Sequence, residues 1–441
     1  MGKWTLACLA LVLCLGLGGC EFGSVEEMYA LPKSSEAYVN LQAKINQEKK
    51  GGEYIAPLSG DNRQTIQLVD MDGDGVQEAV AFFRDTSAAA PLKLVIFKQN
   101  DREDYQVYAR IEGVGSEIES VEYVQLGGSE GMDILVSWQV SAGVHSLVGY
   151  SFSDGQPVEI LRSSYSRYLT ADLDDDGLQE VVLAQPAGGG LRMEYYDGRD
   201  GILELLSTAP LSEGSTDISS WQVGRTEDGV PALFVTSFFG KDVLVTDVFC
   251  LKDGQGLKNI AMDPVTRRSK DVFHYYAGVQ PEDINDDGSL EVPVALPVPA
   301  YGSSSVDRFW WLAWVSYRAD GSRTQAMTTY HSGDGWYLEL PESWTGSFAM
   351  QRQESSTVGV RTVTFARGSE EEDPVPFLEI SGLVGSDRNR QASQGERFTL
   401  YANDTTIYAA QFLDGGWDCG LDQQSLTERF HITEDRWLTS Q

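Results

Sequence analysis

Three stretches of this chain repeat one order of oxygen-bearing side chains. Asp70, Asp72, Asp74 and Glu78 fill positions 1, 3, 5 and 9 of the first stretch. Asp172, Asp174, Asp176 and Glu180 fill those of the second, and Asp283, Asn285, Asp287 and Glu291 those of the third. Position 6 is glycine each time (Gly75, Gly177, Gly288), which permits a sharp bend. As such a loop turns, the side chains at 1, 3 and 5 converge, and the carbonyl at position 7 (Val76, Leu178, Ser289) adds another oxygen. Hard oxygens in an adaptable shell of about six to eight suit calcium. The spacing matches the front half of the helix–loop–helix calcium site. The back half is missing, because position 12 is Ala81, Leu183 or Val294. Carboxylates gathered this closely repel one another, so a cation explains them better than ordinary solvated acidic turns.

Each loop is followed by an apolar run: Ala79 to Phe83, Val181 to Ala184, and Val292 to Leu296. Two degenerate versions lie between them. Gly131-Met132-Asp133 leads into Ile134 to Trp138, and Glu227 to Val230 leads into Pro231 to Phe234. Aligned on the last loop position, the series runs Glu78, Asp133, Glu180, Ala232, Glu291, a period of about 50 residues. Between these points come short runs rich in Val, Ile, Leu, Phe and Tyr, broken by Gly, Asp, Ser and Asn. They read as strands. A small sheet of several strands per repeat cannot bury both faces until its neighbours stack on it, which is the logic of a propeller blade. The expected fold class is therefore all-β, a β-propeller of five to seven four-stranded blades with a short N-terminal helix. That helix is expected from Ser34 or Ser35 to about Lys50, where Tyr38, Leu41 and Ile45 are spaced by three and four and Gly51-Gly52 follows.

The loops and the strands after them resemble the calcium-loop blades called FG-GAP or VCBS-like repeats, found in the propeller head of integrin alpha subunits and in many secreted bacterial proteins. The resemblance covers residues from about 60 to 300. It implies that the twelve side chains named above hold about three structural calcium ions, one per complete loop, and that the two degenerate repeats hold none. Beyond residue 345 the repeat fades. Residues 52–344 are read as the propeller repeats, and 345–441 as a divergent closing blade or a small β domain. Tyr54 to Ala56 is expected to add a strand to that last blade and close the ring.

The N-terminus carries chemistry of another kind. Lys3 precedes an almost unbroken apolar run from Trp4 to Leu17, ended by Leu17-Gly18-Gly19-Cys20. The run falls short of the about 20 residues a crossing helix needs, and its position fits an export signal. Leu17 to Cys20 resembles the lipobox of bacterial lipoproteins. The resemblance implies diacylglycerol transfer to the Cys20 sulfur, cleavage after residue 19, and a chain held on the outer face of the bacterial membrane. Residues 20–51 then form a lipidated tether and the short helix.

Composition narrows the partners. The formal charge is −33, which argues against nucleic acid and against a body lying flat on an anionic leaflet. Attachment to the membrane is left to the lipid. Cys8 and Cys14 leave with the signal and Cys20 is lipidated, so Cys250 and Cys419 remain. A disulfide between them is allowed outside the cell; two separate buried thiols are the alternative. Gly127-Gly-Ser129-Glu-Gly131 spells a nucleophile-elbow pattern, but a strand follows it where the elbow needs a helix. The four histidines show no paired metal spacing, and Gly188 to Gly190 reads as a hairpin turn. Trp310 and Trp314, on one face of a strand, are expected in the core between blades; a rim patch that stacks on a sugar or peptide is the other possibility. The functional expectation is a calcium-stabilised binding or scaffold lipoprotein for a peptide, glycan or protein. Its alternatives are an envelope carbohydrate-active or other hydrolytic enzyme, and an accessory subunit of a membrane transport, signalling or cell-wall complex.

Overall fold

The computed structural model describes residues 36–433, apart from 103, 114, 128–130, 154, 200, 241–242, 252–255, 271, 275–278, 303–307, 356–358 and 369–372. The stretch expected to be an export signal, Cys20 and Ser129 lie outside the described residues. Six antiparallel sheets of four or five strands follow one another along the chain, with a small two-stranded ribbon at Met262–Asp263 and Arg268–Ser269. This is the all-β, β-propeller-type architecture with a short N-terminal helix, Glu36–Lys49. Among the described residues no helix is long and apolar enough to cross a membrane.

The chain divides into two compact units, Met1–Val121 with Ser153–Pro157 and Glu122–Phe152 with Val158–Gln441. The first unit holds the helix and the first sheet, whose main strands are Glu78–Arg84, Leu92–Gln99 and Tyr105–Gly113. The helix is part of this body. Leu41 and Ile45 pack among Ala79, Ala81, Phe83, Val95 and Phe97, and Arg110 grips Glu48 with two bonds of 2.8 and 2.9 Å. The segment at Tyr54 goes elsewhere than the sequence suggested. Glu53 and Tyr54 pair with Arg84 and Phe83 of the first sheet, beside Ile66–Val69, which pairs with Glu78 to Ala81 further along the same strand. Tyr54 also donates to Asn46 of the helix (3.0 Å), so local contacts claim it.

In the second unit consecutive sheets stack face to face, and side-chain alternation shows how. In the strand Glu180–Ala187, Val181 and Leu183 join Leu135, Leu147 and Ile160 of the sheet before. Val182 and Ala184 join Leu233, Val235 and Phe249 of the sheet after. The strand Pro231–Phe239 repeats the pattern: Leu233 and Val235 look back, while Ala232 and Phe234 pack against Val292, Val315 and Tyr317. Both faces are buried, which is why these strands read as continuous apolar runs rather than alternating ones. Phe309, Trp311, Tyr330 and Trp336 of the fifth sheet meet Phe348, Phe365 and Phe377 of the sixth in the largest core. The fifth sheet takes its last strand, Phe430–Ile432, from the C-terminal end of the chain. Residues beyond 345 thus form a sixth sheet and also complete the fifth.

Candidate metal centres

Every Asp-rich loop links the outer strand of a sheet to the next strand inward. In the first sheet it joins Ile66–Val69 to Glu78–Arg84, and in the third Arg167–Ala171 to Glu180–Ala187. In the fifth, the outer strand shrinks to a single bridge between Glu282 and Glu291. Position 2 of each loop is an apolar residue, Met71, Leu173 or Ile284. Its N–H donates to the carboxylate at position 9: 2.8 Å to Glu78, 2.7 Å to Glu180 and 3.2 Å to Glu291. That bond pins the loop to the strand. Position 1 then accepts from the backbone of the turn, as Asp172 does from Gly177 N–H (3.0 Å) and Asp70 from Gly73 and Gly75 N–H (2.9 and 3.0 Å). Two loop residues adopt the left-handed region. Position 6 does so as glycine, and position 4 does so as Gly73, Asp175 and Asp286 with φ of 74°, 61° and 58°. Short side chains that tolerate this conformation are what position 4 needs.

The outcome differs from loop to loop. In the second, oxygens of Asp172, Asp174, Asp176 and Glu180 all lie within 4.8 Å of one another. Glu180 is fully buried, and its Oε1, like Asp172 Oδ1, has no hydrogen-bond partner. Burial, with the charges of Asp174, Asp197 and Asp172 added, pushes the Glu180 carboxyl up to about 8 against the opposing Leu173 N–H. A buried, unpaired acid surrounded by acids is strongly unfavourable on its own. All the donors are carboxylate oxygens, so the set fits a hard divalent cation.

In the first loop, Asp70, Asp72 and Glu78 converge within the same limit, but a cation from the chain enters the cluster. The Lys98 ammonium bonds Asp72 and lies 3.5 Å from Asp74 Oδ2 and 3.9 Å from Glu78 Oε1. Burial still raises the Glu78 carboxyl. In the third loop, Glu291 Oε1 accepts from the hydroxyls of Ser289 (3.0 Å) and Ser316 (2.9 Å). Asn285 donates to Asp287 (2.9 Å). Hydrogen bonds from Ser289 hold Asp287 below the usual carboxylate range.

The degenerate repeats keep less. Leu126 N–H still donates to the buried Asp133 (3.1 Å), which preserves the position 2 to position 9 bond. In the fourth sheet Ala232 stands at position 9, and Thr226 closes the turn through Asp228 (2.7 Å) and the Val230 N–H (3.2 Å).

Trp314, Cys250 and Cys419, also singled out in the sequence, lie in the core. Trp314 is fully buried with Leu312 and Val279, and its Nε1 donates to Thr329 (2.7 Å). This is a packing role, so Trp314 offers no face to a ligand. Trp310 is half-buried beside Arg308 and Arg352. Cys250 packs with Ala232, Phe234 and Val315, whereas Cys419 belongs to the core around Trp344, so the two thiols are not bonded to each other. A cleft of about 800 Å³ opens over Trp311 and Trp344 and is edged by Glu339, Glu342 and Arg429. Of its two acids, Glu339 is engaged by His431 (2.7 Å) and Arg429 (3.8 Å).

No family model matches the sequence, and no curated protein does either. Solved structures are similar at low identity. A protein from Lactobacillus plantarum shares 12% identity over 76% of this chain and 99% of its own, with a TM-score of 0.26. BBS1N, solved in complex with ARL6DN, shares 11% over 82% of this chain and 94% of its own, at 0.27. The exotype rhamnogalacturonan lyase YesX shares 12% over 73% of each chain, also at 0.27.

Proposed function

We propose that this chain is a calcium-stabilised binding or scaffold module, carried on the outer face of a bacterial membrane by a lipid on Cys20. One observation carries the calcium reading: the second loop gathers four carboxylates while leaving a buried oxygen of Glu180 and one of Asp172 without a partner. Bound there, calcium supplies charge neutralisation and ligation; the chain's own residues do the rest. Leu173 N–H orients Glu180, Gly177 N–H orients Asp172, and the loop fixes the start of a strand buried on both faces. The role is structural. The likeness of Leu17 to Cys20 to a lipobox supports the lipid anchor, and the charge of −33 favours attachment by lipid over attachment by a basic surface.

The ligand is a peptide, glycan or protein. A carbohydrate-active envelope enzyme is a weaker reading, because in the large cleft Glu339 is already bound by His431 and Arg429, leaving Glu342 without a second free acid beside it. Two measurements test the proposal. Metal analysis of the purified protein after dialysis in millimolar calcium should find bound calcium; none bound removes the metal reading. Cys20→Ala should release the protein from membranes or leave it as unprocessed precursor. A variant that fractionates with membranes at the wild-type mature size removes the lipid anchor.

A further inference from the structure

Strand register places one residue directly across from position 9 of every loop, on the next strand of the sheet. Ala79 pairs with Phe97, so Glu78 faces Lys98. Val181 pairs with Tyr196, so Glu180 faces Asp197. Glu291 pairs with Ser316. In the degenerate repeats Ile134 pairs with Tyr150, so Asp133 faces Ser151, while Ala232 pairs with Cys250. Directly opposed side chains on one face of a sheet are close enough to interact. At one geometric position, then, the three complete loops meet a cation, an anion and a hydroxyl.

The contacts follow that order. Lys98 reaches three acids of the first loop, bonding Asp72 and lying 3.9 Å from Glu78 Oε1, which has no hydrogen-bond partner of its own. Ser316 donates to Glu291 (2.9 Å), satisfying the oxygen that has no hydrogen-bond partner in the first and second loops. Asp197 brings a further negative charge to the second loop and lines the same pocket as Leu173 and Asp174, a space of about 550 Å³. The Arg225 guanidinium compensates only from a distance: it bonds Asp175 (2.8 Å) and the Gly229 carbonyl (2.6 Å), and reaches Asp172 through its charge alone.

We infer that the residue opposite position 9 decides which loops take a divalent ion: Lys98 acts as a built-in cation that replaces calcium in the first loop, and Asp197 makes the second loop the principal calcium site. The inference rests on the calcium reading above and changes its count. The first loop takes no ion, the second fills first, and the third, with Asn285 and two hydroxyls, fills only at higher calcium. A tethered ammonium is present at a high effective concentration, so a free ion must displace it to enter. Calcium also needs several oxygens at once, and the Lys98 ammonium bonds one of them and lies beside two more.

A charge exchange tests this on the full lipidated chain in detergent, read by equilibrium dialysis with calcium and by melting in calcium or chelator. Lys98→Asp should raise the number of tightly bound ions by one and make the first unit newly sensitive to chelator. Asp197→Lys should weaken binding at the second loop at least tenfold and reduce the loss of stability on chelation. Lys98→Met and Asp197→Asn are the milder pair: the first should gain weaker binding, the second should lose affinity without loss of fold. Wild type binding three ions of equal affinity, or counts unchanged in Lys98→Asp and Lys98→Met, overturns the inference while the calcium reading stands. No calcium bound by wild type or any variant overturns both.

Discussion

If calcium occupies the second loop as proposed, removing it has a cost that can be worked from the geometry. Chelation would leave two buried oxygens, Glu180 Oε1 and Asp172 Oδ1, without any partner. Each unsatisfied buried polar atom costs about 1–3 kcal/mol, and so the pair costs about 2–6 kcal/mol. Linkage gives the same scale by another route, since a ligand at a hundredfold excess over its Kd contributes about 2.7 kcal/mol. For a unit of this size a loss of that order lowers the midpoint by about 5 °C. The assay is a melting curve in millimolar calcium and again in chelator, run beside Glu180→Gln. At a pH above about 8, where Glu180 is ionised without the ion, the amide keeps an acceptor for the Leu173 N–H, removes one charge, and turns an NH2 toward Asp172 and Asp174. In chelator this variant should therefore melt above wild type, and its gain on adding calcium should fall by more than half. Solvated acidic turns predict no calcium response in either protein. A Glu180→Gln protein that melts below wild type in chelator and keeps the full calcium response refutes the argument that unpaired carboxylates set the cost.

Three further outcomes follow from other parts of the molecule. Burial pushes the His331 imidazole down to about 3, whereas in the unfolded chain it titrates near its ordinary value of about 6.5. The unfolded state alone takes the proton between those values. Stability from this group is complete above about pH 6.5 and is lost as pH falls toward 3; denaturant titrations should show it, and His331→Gln should flatten that slope. Trp314→Ala should cost about 3–5 kcal/mol in denaturant unfolding, because a fully buried indole and its bond to Thr329 are lost; a loss under about 1 kcal/mol would contradict the core assignment. Denatured without reductant, the chain should take up thiol reagent at both Cys250 and Cys419, since neither is bonded to the other; no uptake at these two would reveal a disulfide.

Much of the fold was legible because inner strands such as Glu78–Arg84, Glu180–Ala187 and Pro231–Phe239 are buried on both faces over their apolar runs. Val181 through Ala184 serve two cores, and that leaves an unbroken apolar run after each acidic loop. The loops were legible because ligand spacing is local, a matter of nine consecutive residues. What stayed hidden depends on partners distant in sequence. Lys98, Asp197 and Ser316 lie at different separations from Glu78, Glu180 and Glu291, because the hairpins between them differ in length. No fixed spacing marks them. For Tyr54 the sequence offers only the general need to close a ring, which points to the last sheet. Its actual pairing with Phe83, and its bond to Asn46, come from a helix whose docking face the spacing of Leu41 and Ile45 suggested without naming its target. The cysteines show the same boundary: composition allowed a bridge, and only the packing of separate cores decides against it.

The degenerate second repeat separates what the loop needs for folding from what it needs for an ion. Leu126 and Asp133 keep the bond that ties position 2 to position 9, and the strand after them, Asp133–Ser141, is as deeply buried as its counterparts. The join between loop and strand therefore does not require acids at positions 1 and 3, where this repeat carries Gln125 and Gly127. In the complete loops those acids add charge to a protein already at −33, next to a buried glutamate. Without a counter-charge each is a source of repulsion that the second repeat shows to be dispensable for the fold. Their presence is consistent with a cation being part of the folded state, supplied by Lys98 at the first loop and, on the reading proposed here, by calcium at the second. Stability of the second unit would then follow the calcium around it, while that of the first would not.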